Sequence, residues 1–256
     1  MKTAAIRISS RPRAFSLVEL LVVMAVIAVL AGIGLPALKG LGGTNDMAAA
    51  NRQLLDDLAY ARFKAINDRT TVYVVFVSDQ ILRQPWNTAQ RREAGKLANL
   101  QYTGYALYAK RTLGDQPGPG SARYLTEWKS LPDGTFIPTN KFNYNEVPNR
   151  LGQPIATRPL PHELIPFPNA TNQAIPMACI AFDYQGRLKQ MDDVVLPIAR
   201  GSIIFPQDQK IDSLEAPEVI ETPKGNYTNN PAIRIDWLTG RARSQQPEKL
   251  NYAVFQ

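Results

Sequence analysis

The sequence predicts an α+β protein, a long N-terminal α-helix packed as a spine on an antiparallel β-sheet domain. Three observations predict it. Leu20–Leu38 carries no charged residue over 19 positions. Apolar residues then return at three- and four-residue steps as far as Ile66, the period of a helix with one buried face. Beyond residue 69 the pattern changes to short alternating runs divided by Pro and Gly, which punctuate strands and turns.

The first element opens with a basic leader, Lys2, Arg7, Arg11 and Arg13. An uncharged run of about 20 residues suffices for a helix to cross a bilayer. One acid, Glu19, stands at its start, where a lone charge is expensive and so needs a named partner. Gly32, Gly34, Pro36, Gly40, Gly42 and Gly43 predict a bend or a stretch that can melt. Helical period resumes through Met47, Leu54, Leu55, Leu58, Ala61, Ala65 and Ile66, with Asn45 or Asp46 as a candidate cap. The domains expected are a leader (1–14), an assembly helix (15–68) and a β-rich domain (69–256).

Within the β-rich part, Thr71–Val77 reads as a buried strand, because Val72, Val74, Val75 and Val77 are β-branched. Residues 79–100 are polar and basic, and predict a solvated loop with a short helix near Ala89–Ala98. Leu100–Lys110 alternates with tyrosines and reads as a strand. Ten prolines mark 111–170 as an irregular, exposed insertion. Ala178–Asp183, a turn through Arg187, and Leu188 predict strand, turn, strand. Val194–Ile204 predicts a hairpin or strand pair. Ala232–Arg243 alternates apolar and polar and turns at Thr239-Gly240.

Arg13-Ala14-Phe15-Ser16-Leu17-Val18-Glu19-Leu20 resembles the N-terminus of type IV pilins and type II secretion pseudopilins. The resemblance implies that a prepilin peptidase cuts between Ala14 and Phe15, and that Phe15 is then N-methylated. Glu19 becomes the assembly residue and Pro36 the helix-kinking proline. Ala14 stands where the family usually has Gly, which implies slower processing. Cleavage frees the Phe15 amine, and a carboxylate four residues on can partner an ammonium where either charge alone costs several kcal/mol. The natural pair in a filament is Glu19 of one subunit with the Phe15 amine of its neighbour. The partners implied are prepilin peptidase, other pilin or pseudopilin subunits, an inner-membrane assembly platform and the membrane itself through one helix. The location implied is the inner membrane, with the C-terminal domain in the periplasm. A secretory signal cut near Ala28-Val-Leu-Ala31 competes, but its apolar region is usually roughly 7–15 residues long.

Four later segments resemble a narrower subgroup, the GspH/FimT-like minor pseudopilins. They are Ala61-Arg62-Phe-Lys-Ala65-Ile66 running into the Thr71–Val77 strand, Trp128-Lys-Ser-Leu-Pro-Asp-Gly134, and Phe182-Asp-Tyr-Gln-Gly-Arg187 with a closing Thr239-Gly-Arg241 turn. Some members of that subgroup bind DNA through a basic Gly-Arg-x-Arg element. Here that element is Gly240-Arg241-Ala242-Arg243, with Lys249 after it, so Arg241, Arg243 and Lys249 are the nucleic-acid candidates.

Composition narrows the function classes. Of the net charge of +7, four belong to the leader, leaving +3. The basic balance is therefore largely a targeting signal, since positive residues stay cytoplasmic. A single cysteine, Cys179, rules out an intramolecular disulfide, and its strand-like setting predicts a small buried hydrophobe. The only histidine, His162, lies between prolines and reads as a loop residue. Asp192 and Asp193 are adjacent, so along a strand they point to opposite faces. No phosphate loop, zinc spacing or nucleophile elbow occurs, so neither a cofactor, a metal nor catalysis is expected.

Overall fold

The structure, a computed structural model, describes residues 17–111, 121–143, 156–206, 216–225 and 228–246, with the side chains of 31–44 outside that description. The chain divides into two compact units, Met1–Thr44 and Asn45–Gln256. Each is taken by itself.

In the first unit the backbone is the opening part of helix α1 (Leu17–Asn67). Its large apolar side chains from Leu17 to Leu30 are all exposed. Among the described residues no helix is long and apolar enough to cross a membrane. Of the apolar run Leu20–Leu38, the side chains beyond Leu30 fall outside the description. Pro36 lies within α1, and Asn45 and Asp46 are mid-helix residues, not caps. The predicted interruption is therefore not a helix end. Proline removes one backbone donor, and the hydrogen-bonded turns around it carry the helix through.

In the second unit the rest of α1 buries Ala50, Leu54, Leu58, Ala61 and Ala65 at near-zero exposure. That stripe, one residue every three or four, is the sequence periodicity made physical. It packs on one face of an antiparallel sheet in the order β3 (Arg123–Tyr124), β2 (Gly104–Ala109), β1 (Val72–Phe76), β7 (Ala174–Phe182), β6 (His162–Pro166). Strand β4 (Lys129–Ser130) also pairs with β2. The α+β class is as expected.

β1 explains why the sheet needs two covers. Val72, Val74 and Phe76 join the helix-side core, while Tyr73, Val75 and Val77 join a second core on the other face. Ile81, Trp86 and Ala94 fill that second face, with Leu82, Leu97 and Leu100 packed against them. Ile81 and Leu82 come from a short 3₁₀ turn (Asp79–Leu82), Ala94 from helix α2 (Thr88–Gly95) and Leu100 from a second 3₁₀ turn (Ala98–Leu100), while Trp86 and Leu97 lie in the links between them. So residues 79–100 are not only a solvated loop. Arg83, Arg92 and Lys96 are exposed while Ile81, Trp86 and Ala94 cap the sheet. α2 is fixed by a capping box between Asn87 and Gln90.

Two small sheets complete the unit. One has the order β10 (Glu218–Glu221), β9 (Ala199–Ile204), β5 (Thr135–Phe136). The other has β12 (Ala242–Gln245), β11 (Ala232–Ile235), β8 (Val194–Leu196). Val194–Ile204 is thus two strands but not a pair, because Pro197 and Ile198 pass the chain from one sheet to the other. Only one isolated bridge, Phe182 to Leu188, forms after the Asp183–Arg187 turn. His162 is no loop residue. It opens β6 opposite Ala178, and burial lowers its pKa. The described parts of 111–170 also reach the core through Leu131, Phe136, Ile137, Phe142, Leu160, Ile165 and Phe167. Cys179 is buried in β7, and desolvation pushes its thiol up to about 12.

Candidate functional site

Two places hold the predicted functional residues. At the N-terminus, Glu19 lies in the first turn of α1. The flanking Val18, Leu20, Leu21 and Val22 are each more than half exposed. This end of the helix offers one acid set in apolar surface. Ala14 and Phe15 lie outside the described residues, and Pro36 is placed by its backbone alone.

The second place is built where three separated segments meet. Arg62, on α1, donates through Nε to the Thr239 carbonyl at 2.8 Å and to the Gly186 carbonyl at 3.2 Å. It ties the Asp183–Arg187 turn and the Asp236–Arg241 turn to the helix and to each other. Both turns require glycine. Gly240 has φ +62, and a Cβ there would lie 1.8 Å from the Gly186 carbonyl oxygen. Gly186 has φ +77, and its Cβ would strike the Ile66 side chain. The Asp236 carboxylate accepts from the Thr239 amide and hydroxyl at 2.7 Å each. Those bonds hold Asp236 below the usual carboxylate range.

The turn carries Arg241 and Arg243 into a cavity of about 540 Å³, also lined by Arg234, Asp236, Thr239, Ser244 and Gln245. Arg234 faces Arg243 across the β11–β12 ladder. Arg234 is committed to Asp193, at 2.6 Å. Neither Arg241 nor Arg243 makes an ion pair among the described residues. Asn51 of α1 donates to the Ser244 hydroxyl at 2.8 Å and anchors β12. Lys249 lies outside the described residues.

In the sequence Arg62 is visible only as part of a helix end. Its role as the donor joining two turns is a long-range property with no local signal. A second such link was also missed. Asp57, buried on α1, pairs with Lys129 at 2.7 Å and accepts from the Tyr105 hydroxyl at 2.6 Å. Burial is the first cause of the raised Tyr105 pKa, and the hydrogen bond to Asp57 adds to it. Asp192 and Asp193 do part company, toward Arg158 and Arg234. Among the described residues, no group of three or more His, Cys, Asp or Glu has the geometry to hold a metal ion.

Residues 9–35 match the prokaryotic N-terminal methylation motif. The match spans Ala14, Phe15 and Glu19, so the chain carries a type IV prepilin-like signal. That signal supports a type IV pilin-like protein, processed by prepilin peptidase and assembled with other pilin subunits. Comparison with curated proteins and with solved structures finds no match.

Proposed function

We propose that this chain is a minor pilin or pseudopilin of the GspH/FimT-like kind. It is cut between Ala14 and Phe15, N-methylated at Phe15, and polymerised through α1. The filament is a type II secretion pseudopilus or a type IV pilus, and the chain supports secretion or pilus assembly as a structural subunit without catalysis. The match at residues 9–35, with Glu19 in the first turn of an otherwise apolar helix start, carries this reading. Before assembly the apolar run Leu20–Leu38 anchors it in the inner membrane with the β-rich unit in the periplasm. Glu19 then neutralises the Phe15 amine of a neighbour, which removes two charges from an apolar medium together.

The test is intact-mass measurement of protein from membranes of cells that hold a prepilin peptidase. A chain starting at N-methyl-Phe15 is expected, and Glu19→Ala is expected to leave processing intact while excluding the chain from filaments. A cut near Ala31 would instead mean a secreted soluble domain.

A second reading, nucleic-acid binding, draws on one observation. Arg241 and Arg243 line one cavity and have no acidic partner among the described residues. Two or three guanidinium groups give modest, salt-sensitive phosphate affinity. A gel shift with duplex DNA that is abolished by Arg241→Ala/Arg243→Ala and weakened by added salt supports this reading, and binding unaffected by the pair of substitutions ends it.

A further inference from the structure

We infer that the cleft between the Leu131–Gly134 turn, the Asn99–Thr103 link and β9 is a binding site for a neutral saccharide. The inference goes beyond the filament reading and does not depend on it.

The cleft has a volume of about 370 Å³, within the size range of small-ligand pockets. Three segments far apart in sequence form it, 99–103, 130–136 and 201–205. Backbone bonds tie these walls together. The Leu131 amide donates to the Thr103 carbonyl at 3.0 Å, and the Gly201 amide to the Gly134 carbonyl at 3.0 Å. The Ser130 carbonyl accepts from Gln53 of α1 at 2.8 Å. The walls are thus set before a ligand arrives, which lowers the cost of binding. Where two of them meet, Gly134 and Gly201 place no side chain in the opening. At Gly201 none could be added, because a Cβ there would lie 1.9 Å from the Ile220 carbonyl oxygen.

Asp133 is the residue that the fold does not use. An aspartate in a glycine turn ordinarily bonds the turn's own amides. Asp183 does so, accepting from the Gln185 and Arg187 amides at 2.8 and 2.9 Å. Asp236 does so with Thr239. In the turn that holds Asp133, the Thr135 amide and hydroxyl both donate to the Pro132 carbonyl instead. Asp133 is left exposed on the cleft, with no hydrogen bond or ion pair among the described residues. The side chains of Asn99, Thr103, Ser130 and Ser202 line the same cleft and are equally unengaged among the described residues.

The lining selects the ligand class. It holds one carboxylate and neither Lys, Arg nor His. A phosphate, sulfate or carboxylate would meet Asp133 with no cation to offset it, a costly juxtaposition. That argues for a neutral ligand and against nucleic acid at this place. Hydroxyl and amide side chains both donate and accept, while the carboxylate accepts only. This mixture matches the neighbouring hydroxyls of a sugar. Leu100, Pro132, Ile203 and Phe205 add apolar lining for the C–H face of the ring.

The test is a glycan array probed with the full chain in a detergent without sugar headgroups. The array carries maltose-based and N-acetylglucosamine-based oligosaccharides and their sulfated counterparts. Neutral glycans should be retained, and their sulfated counterparts about tenfold less. Asp133→Ala and Asn99→Ala should each weaken retention about fivefold, the effect of one lost hydrogen bond. Ser202→Phe, which fills the cleft from an exposed strand position, should abolish it. Leu164→Ala, exposed on β6, should leave it unchanged. Protease resistance of the β-rich unit confirms that each variant is folded. No retention of neutral glycans, stronger retention of the sulfated forms, or retention that Asp133→Ala, Asn99→Ala and Ser202→Phe leave unchanged would each overturn the site. None of these outcomes bears on cleavage at Ala14, so failure here leaves the pilin reading standing.

Discussion

The two ends of α1 obey different rules. From Leu17 to Leu30 the helix is apolar apart from Glu19, and all its large apolar side chains are exposed. From Ala50 to Ala65 one face is buried to near zero against a sheet. The second region contributes to the fold of the unit that contains it. Among the described residues of its own unit, the first buries none of its large apolar side chains, so it builds no core there. Hydrophobicity alone therefore does not separate core from interface. The presence of an opposing sheet does.

The sharpest way to break the comparison is a matched pair of truncations. Leu58→Ala is expected to destabilise the β-rich unit by about 2–5 kcal/mol, the range for emptying a buried leucine site. Leu21→Ala should change it by less than about 0.5 kcal/mol. Urea unfolding of the full chain in detergent, followed by near-ultraviolet circular dichroism, measures both. Equal effects would mean that the two regions are not distinct.

Glycines sharpen it next. Gly240→Ala must displace a backbone carbonyl and hold a left-handed conformation, so a loss of about 2–3 kcal/mol is expected. Gly225→Ala shares the positive φ but meets no atom within 4 Å. It should lose only about 1 kcal/mol. A thermal melt of each variant reads the difference.

A buried lysine gives a pH-dependent test within the second region. Lys141 is 1% exposed and donates to the Arg158 carbonyl and to the Ala156 carbonyl, the latter at 3.2 Å. Burial, with Arg158 nearby, lowers its pKa to about 7. The unfolded chain takes up the proton near pH 10 and the folded one near pH 7, so stability falls as pH drops between those values. Lys141→Met removes that slope. Its urea midpoint should exceed that of the unaltered chain most at pH 7, and the gap should narrow toward pH 10. A gap that stays constant would mean that Lys141 is not held neutral. Tyr105→Phe is expected to cost about 1 kcal/mol for the lost hydrogen bond to Asp57, measured by the same titration.

What was legible in the sequence was local. The period through Leu54, Leu58, Ala61 and Ala65 gave the helix, the valines after Thr71 gave β1, and Thr239-Gly240 gave the last turn. The N-terminal motif was legible because adjacent residues carry it. The misreadings share a cause. β8 and β9 read as partners because they are neighbours in sequence, yet β8 pairs with β11, and β9 with β5 and β10. His162 read as loop because prolines flank it, but β7 supplies the ladder that makes it strand. The 111–170 stretch read as surface because prolines hide the apolar positions that long-range packing buries. At the basic turn the arginines were visible, but the Arg62 link that positions them, spanning 177 residues to Thr239, was not.

One more consequence lies in how α1 joins the sheet. The helix ends at Asn67 and the central strand begins at Val72. A pull along the helix, such as a filament subunit feels under load, reaches β1 through four residues and is not spent first in a loop. β1 is held on both sides, by five residue pairs to β2 and four to β7. Both ladders must give way before the strand can extend. The connection works as an anchor bolt set in the middle of a plate, with the tension shared between two seams.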